Sequence, residues 1–115
     1  MRTYTLDGMG DSSIRKELML STMAVEERIK IHDQEKGDSW KTCPLEYLMD
    51  KYLEEFHESL EVLTPLYPPA LNGEPITDQE LVDIKSELED FMAISSFLWN
   101  RIKSIQDVRV AAKKR

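Results

Sequence analysis

Two pairs of acidic residues have the types and spacing that could bind a metal ion. Glu55 and Glu58 form one pair, and Glu87 and Asp90 form the other. Both pairs fall in strongly helical stretches, where residues three positions apart lie side by side on one face. Like charges placed this way repel each other. Two such pairs on facing helices therefore need a counter-charge, and a hard divalent cation such as Mg²⁺ supplies one by binding carboxylate oxygens.

Three helical segments must position these acids, and they cover residues 13–32, 44–63 and 77–104. Ser13 can cap the first segment, and Pro44 suits the first turn of the second. Thr77 and Glu80 form a capping box at the start of the third. Because no stretch shows convincing strand alternation, we expect an all-α fold, a helical bundle of about three to four helices.

The apolar residues of the second and third segments recur at helical spacing. In the second segment the stripe runs from Leu45 to Leu63, with Glu55 and Glu58 at its edge. In the third segment the expected core face consists of Leu81, Ile84, Leu88, Phe91, Ser95, Leu98, Trp99 and Ile102. Ile94 and Phe97 lie beyond that face. Apolar residues on a second side usually mark an interface, so we predict self-association as a homodimer or homotetramer.

Composition limits the class of protein. A chain of 115 residues is the size of one domain, and 41% hydrophobic residues support a modest core. The net charge of −7 argues against a general nucleic-acid-binding protein, although a metal could still bridge the chain to phosphate. The single cysteine, Cys43, excludes an intramolecular disulfide and favours a reducing, cytoplasmic setting. No stretch approaches the length of a membrane span.

The organisation along the chain is simple. Residues 1–12 are polar with two glycines and are predicted to form a flexible N-terminal arm. Residues 13–105 form the predicted all-α domain. Residues 106–115 are predicted to be a basic C-terminal tail.

The acid pairs and their surroundings resemble the MazG-type all-α nucleoside triphosphate pyrophosphohydrolases. Residues 55–58, Glu-Phe-His-Glu, and residues 87–90, Glu-Leu-Glu-Asp, look like the paired acid motifs of that family. Trp40 and Thr42, just ahead of the first motif, resemble the Trp and Thr of some members. The resemblance covers roughly residues 28–105.

This resemblance implies Mg²⁺-dependent hydrolysis of a nucleoside triphosphate to the monophosphate and pyrophosphate, with Mn²⁺ as an alternative cation. The implied metal ligands are Glu55, Glu58, Glu87 and Asp90. Glu54, next to the first motif, is the candidate catalytic residue that orients or deprotonates the attacking water, and a plain surface glutamate is the alternative.

Two residues ahead of the first motif are candidates for substrate binding. Trp40 can stack on a nucleotide base, since aromatic faces suit bases, or it can be a hydrophobic plug over the helix ends. Lys41 can meet phosphates, although solvated lysines are more common.

Two alternatives stay open at this point. The register is not unique, because Glu58 with Glu61 and Glu80 with Asp83 repeat the two spacings. The function is not unique either: a non-catalytic acidic helical interaction or regulatory module fits the same composition. Among enzymes, a phosphoribosyl-ATP pyrophosphohydrolase-like activity is the nearest alternative.

Overall fold

The computed structural model describes residues 14–37 and 39–114, and these residues form an all-α protein. Three long helices and one short helix make up the fold: α1 (Lys16–Lys36), α2 (Leu45–Leu63), α3 (Tyr67–Leu71) and α4 (Asp78–Lys113). Single turns of 3₁₀ helix precede α2 and α3. Within the two described ranges no residue lies in a strand. The predicted all-α bundle of three to four helices is therefore confirmed.

Local sequence signals set several helix ends. α1 ends at Gly37, whose φ of 67° is a left-handed conformation that glycine adopts without steric cost. The predicted capping box opens α4: the Glu80 N–H donates to Thr77 Oγ1 at 3.1 Å, and the Thr77 N–H donates to Glu80 Oε1 at 2.9 Å. Ser13, the predicted cap of the first helix, and the predicted arm over residues 1–12 lie outside the described residues.

The third helix was predicted to reach Ser104 or beyond, and α4 continues to Lys113. Most of the segment predicted to be a basic tail is therefore helical. No glycine or proline follows Ser104 to stop the helix. An ion pair between Lys103 and Asp107, 3.0 Å long and four residues apart, supports the added turns.

The core lies where α1 and α2 both pack on α4. Its most buried apolar residues are Leu48, Leu66, Ala93 and Phe97. The face of α4 that we expected to be buried is wrong in part: Phe97 is only 5% exposed, whereas Trp99 is 61% exposed. α4 contacts two helices and carries apolar residues nearly all round, so periodicity alone did not identify its buried face.

The segment between α1 and α2 is anchored to the middle of α4. The Trp40 ring stacks on Phe97 with ring centroids 4.3 Å apart and planes at 14°. The Arg101 guanidinium donates to the backbone carbonyl of Trp40 at 2.9 Å and to that of Cys43. These contacts fix the entry of the chain into α2 and hence the position of the first acid pair.

Among the helices of the described ranges, none combines the length and the apolar composition that crossing a bilayer requires.

Candidate functional site

Three of the four predicted metal ligands come together between α2 and α4. Glu55, Glu58 and Glu87 each offer a carboxylate oxygen that lies within 4.8 Å of the other two. Ligand oxygens on opposite sides of a Mg²⁺ ion are about 4 Å apart, since each bond is about 2.1 Å. Small side-chain rotations are therefore enough for this three-glutamate cluster to converge on one cation.

Glu55 owes its position to the packing of α2. The less exposed residues of this helix recur every three or four positions and include Leu45, Leu48, Tyr52, Glu55, Ser59 and Val62. The Tyr52 ring lies 5.0 Å from that of Phe91 on α4, so this stripe faces α4. Glu55 thus occupies a position that packing alone would give to an apolar residue, which is unusual without a counter-charge.

Burial and mutual repulsion raise the pKa of two carboxyl groups in the cluster. Burial, and then the neighbouring charges of Glu58 and Asp90, raise the pKa of Glu55 from 4.5 to about 7. The same causes raise the pKa of Glu87, and Arg28 opposes that rise. Each of these shifts means that the ionised carboxylate is disfavoured where it stands.

The cluster fits a hard cation. The Oε2 atoms of Glu55 and Glu87 are buried, and neither receives a hydrogen bond from any residue in the described part of the chain. A buried charged oxygen without a donor is costly, and a metal–oxygen bond removes that cost. Carboxylate oxygens are also the ligands that Mg²⁺ and Mn²⁺ prefer.

Asp90, the fourth predicted ligand, lies outside the cluster and is held by a residue that sequence analysis missed. Arg28 Nη1 on α1 is 3.4 Å from Asp90 Oδ1. Its Nε donates to Glu89 Oε1 at 3.2 Å, and its Nη2 donates to Ser86 Oγ at 2.7 Å. The sequence did contain one indication of this contact, because Arg28 is a charged residue between Val25 and Ile29 on the half-buried face of α1. A half-buried charge needs a partner, but the sequence does not identify that partner.

A cavity of about 190 Å³ adjoins the cluster and is lined by residues of both charges. Glu55 and Asp90 contribute carboxylates, while Arg28, Lys36 and Lys51 contribute positive charge. The cavity is smaller than the roughly 300–1,000 Å³ of typical ligand pockets. It is therefore too small to enclose a whole nucleotide-sized ligand.

Glu54 stands apart from the cluster. Its side chain is exposed, and its Oε2 lies 3.3 Å from Lys51 Nζ on the same helix. Glu54 is therefore engaged in a salt bridge, and its role in orienting water stays a prediction.

Trp40 and Lys41 belong neither to the cluster nor to the lining of its cavity, and they line a separate cavity with Asn100, Arg101 and Ser104. Phe97 connects the two regions, because it lines the cavity and stacks on Trp40. One face of the Trp40 ring is thus covered, as in the hydrophobic plug that the sequence left as an alternative. Lys41 Nζ lies 5.6 Å from the centre of the Trp40 ring. Stacking of a nucleotide base on the part of the Trp40 ring that Phe97 does not cover stays a prediction.

The acids that occur only in the alternative pairs, Glu61, Glu80 and Asp83, are not part of the cluster. Glu61 is exposed on α2, and Asp83 is exposed on α4, where it accepts a hydrogen bond from Gln79 at 2.9 Å. Glu80 is engaged in the capping box. The geometry therefore brings together Glu55, Glu58 and Glu87 from the preferred register.

The raised pKa of Glu55 predicts opposite pH dependences for metal affinity and metal-free stability. A cation must displace the proton from Glu55, so the affinity for Mn²⁺ should increase as pH rises through about 7. Without metal, the folded protein holds this proton above the unfolded value of 4.5. Its contribution to stability is present below pH 4.5 and is lost as pH rises towards 7.

This prediction is checked with thermal melts in EDTA between pH 5 and pH 8 and with Mn²⁺ titrations over the same range. Glu55→Gln, which has no proton to exchange, is the matched control and should flatten this part of both profiles. A wild-type Mn²⁺ affinity that is constant across this range would contradict the prediction.

Comparison of the chain with protein-family models, with curated proteins and with solved structures found no match. The resemblance to the MazG-type enzymes therefore rests on the sequence motifs alone.

Proposed function

We propose that this protein is a Mg²⁺-dependent nucleoside triphosphate pyrophosphohydrolase, which releases a nucleoside monophosphate and pyrophosphate. The observation that carries the proposal is the convergence of three glutamates, two of which, Glu55 and Glu87, have a buried oxygen without a hydrogen-bond partner, beside a cavity to which Arg28, Lys36 and Lys51 contribute positive charge. The motif resemblance to the MazG-type enzymes supports the same reaction. Mg²⁺ is the proposed cofactor, and Mn²⁺ is a proposed substitute.

The acidic and the basic residues of the site have different proposed roles. Glu55, Glu58 and Glu87 would hold the cation, with Asp90 as the fourth ligand. A bound cation neutralises phosphate charge and makes a bound water more acidic. Arg28, Lys36 and Lys51 line the cavity and offer donors to phosphate oxygens. Glu54 is the proposed residue that orients the water, for which it must leave its salt bridge with Lys51.

The proposal is tested by a substrate panel with Mg²⁺ and identification of the products. The panel should hold the common ribo- and deoxyribonucleoside triphosphates together with phosphoribosyl-ATP. We expect one monophosphate and one pyrophosphate per substrate consumed. Release of inorganic phosphate and a diphosphate would contradict the proposed bond cleavage, and selective cleavage of phosphoribosyl-ATP would move the protein to the related activity.

A panel without any cleavage would favour the non-catalytic acidic module. The same samples should then show no specific stabilisation by Mg²⁺, because a ligand that binds only the folded state raises its stability. An acidic surface gives only a weak, salt-like effect.

We also propose that the protein functions as a homodimer or homotetramer. The predicted interface on the Ile94 and Phe97 side of α4 is wrong for Phe97, which is 5% exposed in the single chain, so the proposal rests on other exposed residues. Apolar residues recur at helical spacing on an exposed side of α2, and they are Met49, Leu53, Phe56, Leu60 and Leu63. α4 carries a second exposed set, Leu81, Leu88, Trp99 and Ile102. Single exposed apolar residues are ordinary, whereas residues that follow one another at helical spacing, as those of α2 do, favour an interface. A cytoplasmic location agrees with the free thiol of Cys43.

A further inference from the structure

We infer that Arg28 is a positioning residue that holds Asp90 out of the three-glutamate cluster until a cation and a phosphate ligand bind. The inference rests on the proposed function and adds to it a residue from α1, which belongs to neither acid motif. In the structure the Arg28 guanidinium is the counter-charge of Asp90. If a cation and a phosphate group were bound, Asp90 would be available as a ligand of the cation and Arg28 would be available to donate to the phosphate.

The geometry of the Arg28 contacts makes such a release feasible. Ser86, Glu89 and Asp90 share one face of α4, so one planar guanidinium reaches all three. The Asp90 contact is the longest at 3.4 Å, compared with 2.7 Å to Ser86 and 3.2 Å to Glu89. The Asp90 side chain is also 40% exposed, whereas that of Glu89 is 16% exposed. Ser86 and Glu89 therefore anchor Arg28, and Asp90 can leave.

The charges explain what drives the exchange. Asp90 lies close enough to Glu55 and Glu87 for its charge to act on both carboxyls. Without a cation this interaction is repulsive, and Arg28 compensates it. A divalent cation in the cluster reverses the sign, because it attracts Asp90 and repels the guanidinium. Arg28 also lines the cavity beside Glu55, where a phosphate group bound to the cation would lie.

The test measures Mn²⁺ binding by electron paramagnetic resonance, without any nucleotide. Arg28→Gln should increase Mn²⁺ affinity about fivefold, the value of a partly exposed ion pair. In the Asp90→Asn background the same substitution should have little effect, because there is no carboxylate left to release. Binding of Mg²⁺ with inorganic tripolyphosphate, measured by calorimetry, should instead weaken in Arg28→Gln, since the phosphate loses a donor.

Lys51→Ala is the matched control for charge alone, because Lys51 lines the same cavity. Lys51→Ala should change Mn²⁺ affinity by the same factor in the wild-type background and in the Asp90→Asn background. Circular dichroism checks that α1 still packs in Arg28→Gln. If that variant does not fold, Arg28→Lys takes its place: a lysine can reach Glu89 but cannot span to Asp90 as well, so it should also raise Mn²⁺ affinity in an Asp90-dependent way.

Two results overturn the inference in different ways. If Arg28→Gln changes Mn²⁺ affinity equally with and without Asp90, Arg28 acts only through its charge, and the proposed function is untouched. If the wild-type protein has no Mn²⁺ site that Glu55→Gln removes, the proposed function fails and the role of Arg28 fails with it.

Discussion

Glu55→Gln should lower Mg²⁺-dependent triphosphate cleavage by about a hundredfold or more, the scale on which metal sites respond to a lost contact. The substitution keeps the shape of the side chain and removes one charged oxygen from the cluster. Mg²⁺ requires near-octahedral geometry, and the water that would replace the lost oxygen is neither charged nor fixed in position by the protein. Initial rates with saturating nucleotide, measured over a range of Mg²⁺ concentrations, give the size of the loss. Glu58→Gln, Glu87→Gln and Asp90→Asn should show losses of the same kind.

Thermal stability separates a metal ligand from a structural acid. Without metal, Glu55→Gln should be as stable as the wild type or more stable, because burial disfavours the ionised Glu55 carboxylate. With Mg²⁺, the wild type should gain stability and the variant should not. An acid with a purely structural role would instead lose stability in both conditions.

Glu61→Gln and Asp83→Asn are the matched controls for the register, since both acids are exposed and lie on the same two helices. Each should leave activity and Mg²⁺ stabilisation nearly unchanged. Loss of activity in these two variants, with normal activity in Glu55→Gln and Asp90→Asn, would show that the register is wrong. If none of the six acids affects metal binding, the enzyme proposal is contradicted.

Light scattering at micromolar concentration should report a mass of two or four chains, and Leu53→Glu should reduce it to one. Leu53 lies in the exposed apolar set of α2 and is 52% exposed in the single chain. A carboxylate placed in an apolar interface loses its hydration without gaining a partner, which costs several kcal/mol. An association constant lowered by roughly a hundredfold or more corresponds to about 2.7 kcal/mol.

Leu71→Glu makes the same chemical change in α3 and serves as the control, because Leu71 is exposed but belongs to neither apolar set. It should leave the mass unchanged. A monomeric wild-type protein at these concentrations would refute self-association. Dissociation by both variants would show only that added negative charge disperses the chains.

The sequence by itself determined the features that depend on neighbours within one helical turn. The capping box at Thr77 and Glu80 needed only residues three positions apart, and it formed as expected. The stop at Gly37 is also a local signal, although the first helix was predicted to end at residue 32 and α1 continues to Lys36. The pairing of Glu55 with Glu58 on one face follows from helical periodicity alone. These local rules were sufficient for the fold class and for the approximate position of α2.

Local rules failed where a sequence signal was absent or shared. No glycine or proline after Ser104 stops the helix, so the sequence left the end of α4 undefined beyond that residue, and the structure places it at Lys113. Apolar residues surround α4 almost evenly, so the choice between the Phe97 side and the Trp99 side needed knowledge of both partner helices. Each helix face has a similar intrinsic preference for burial, and the packing of α1 and α2 together decides between them.

Only the tertiary structure decided the composition of the site. The approach of α2 to α4 brought Glu87 to Glu55 and Glu58. The packing of α1 on α4 then placed Arg28 on Glu89, 61 residues away in sequence, and on Asp90. Contacts of this kind depend on how whole helices cross. A charged residue in the sequence does not indicate which residue, distant along the chain, will lie within reach of it. The sequence thus identified the four acids. Helix packing determined that Glu55, Glu58 and Glu87 gather and that Arg28 contacts Asp90.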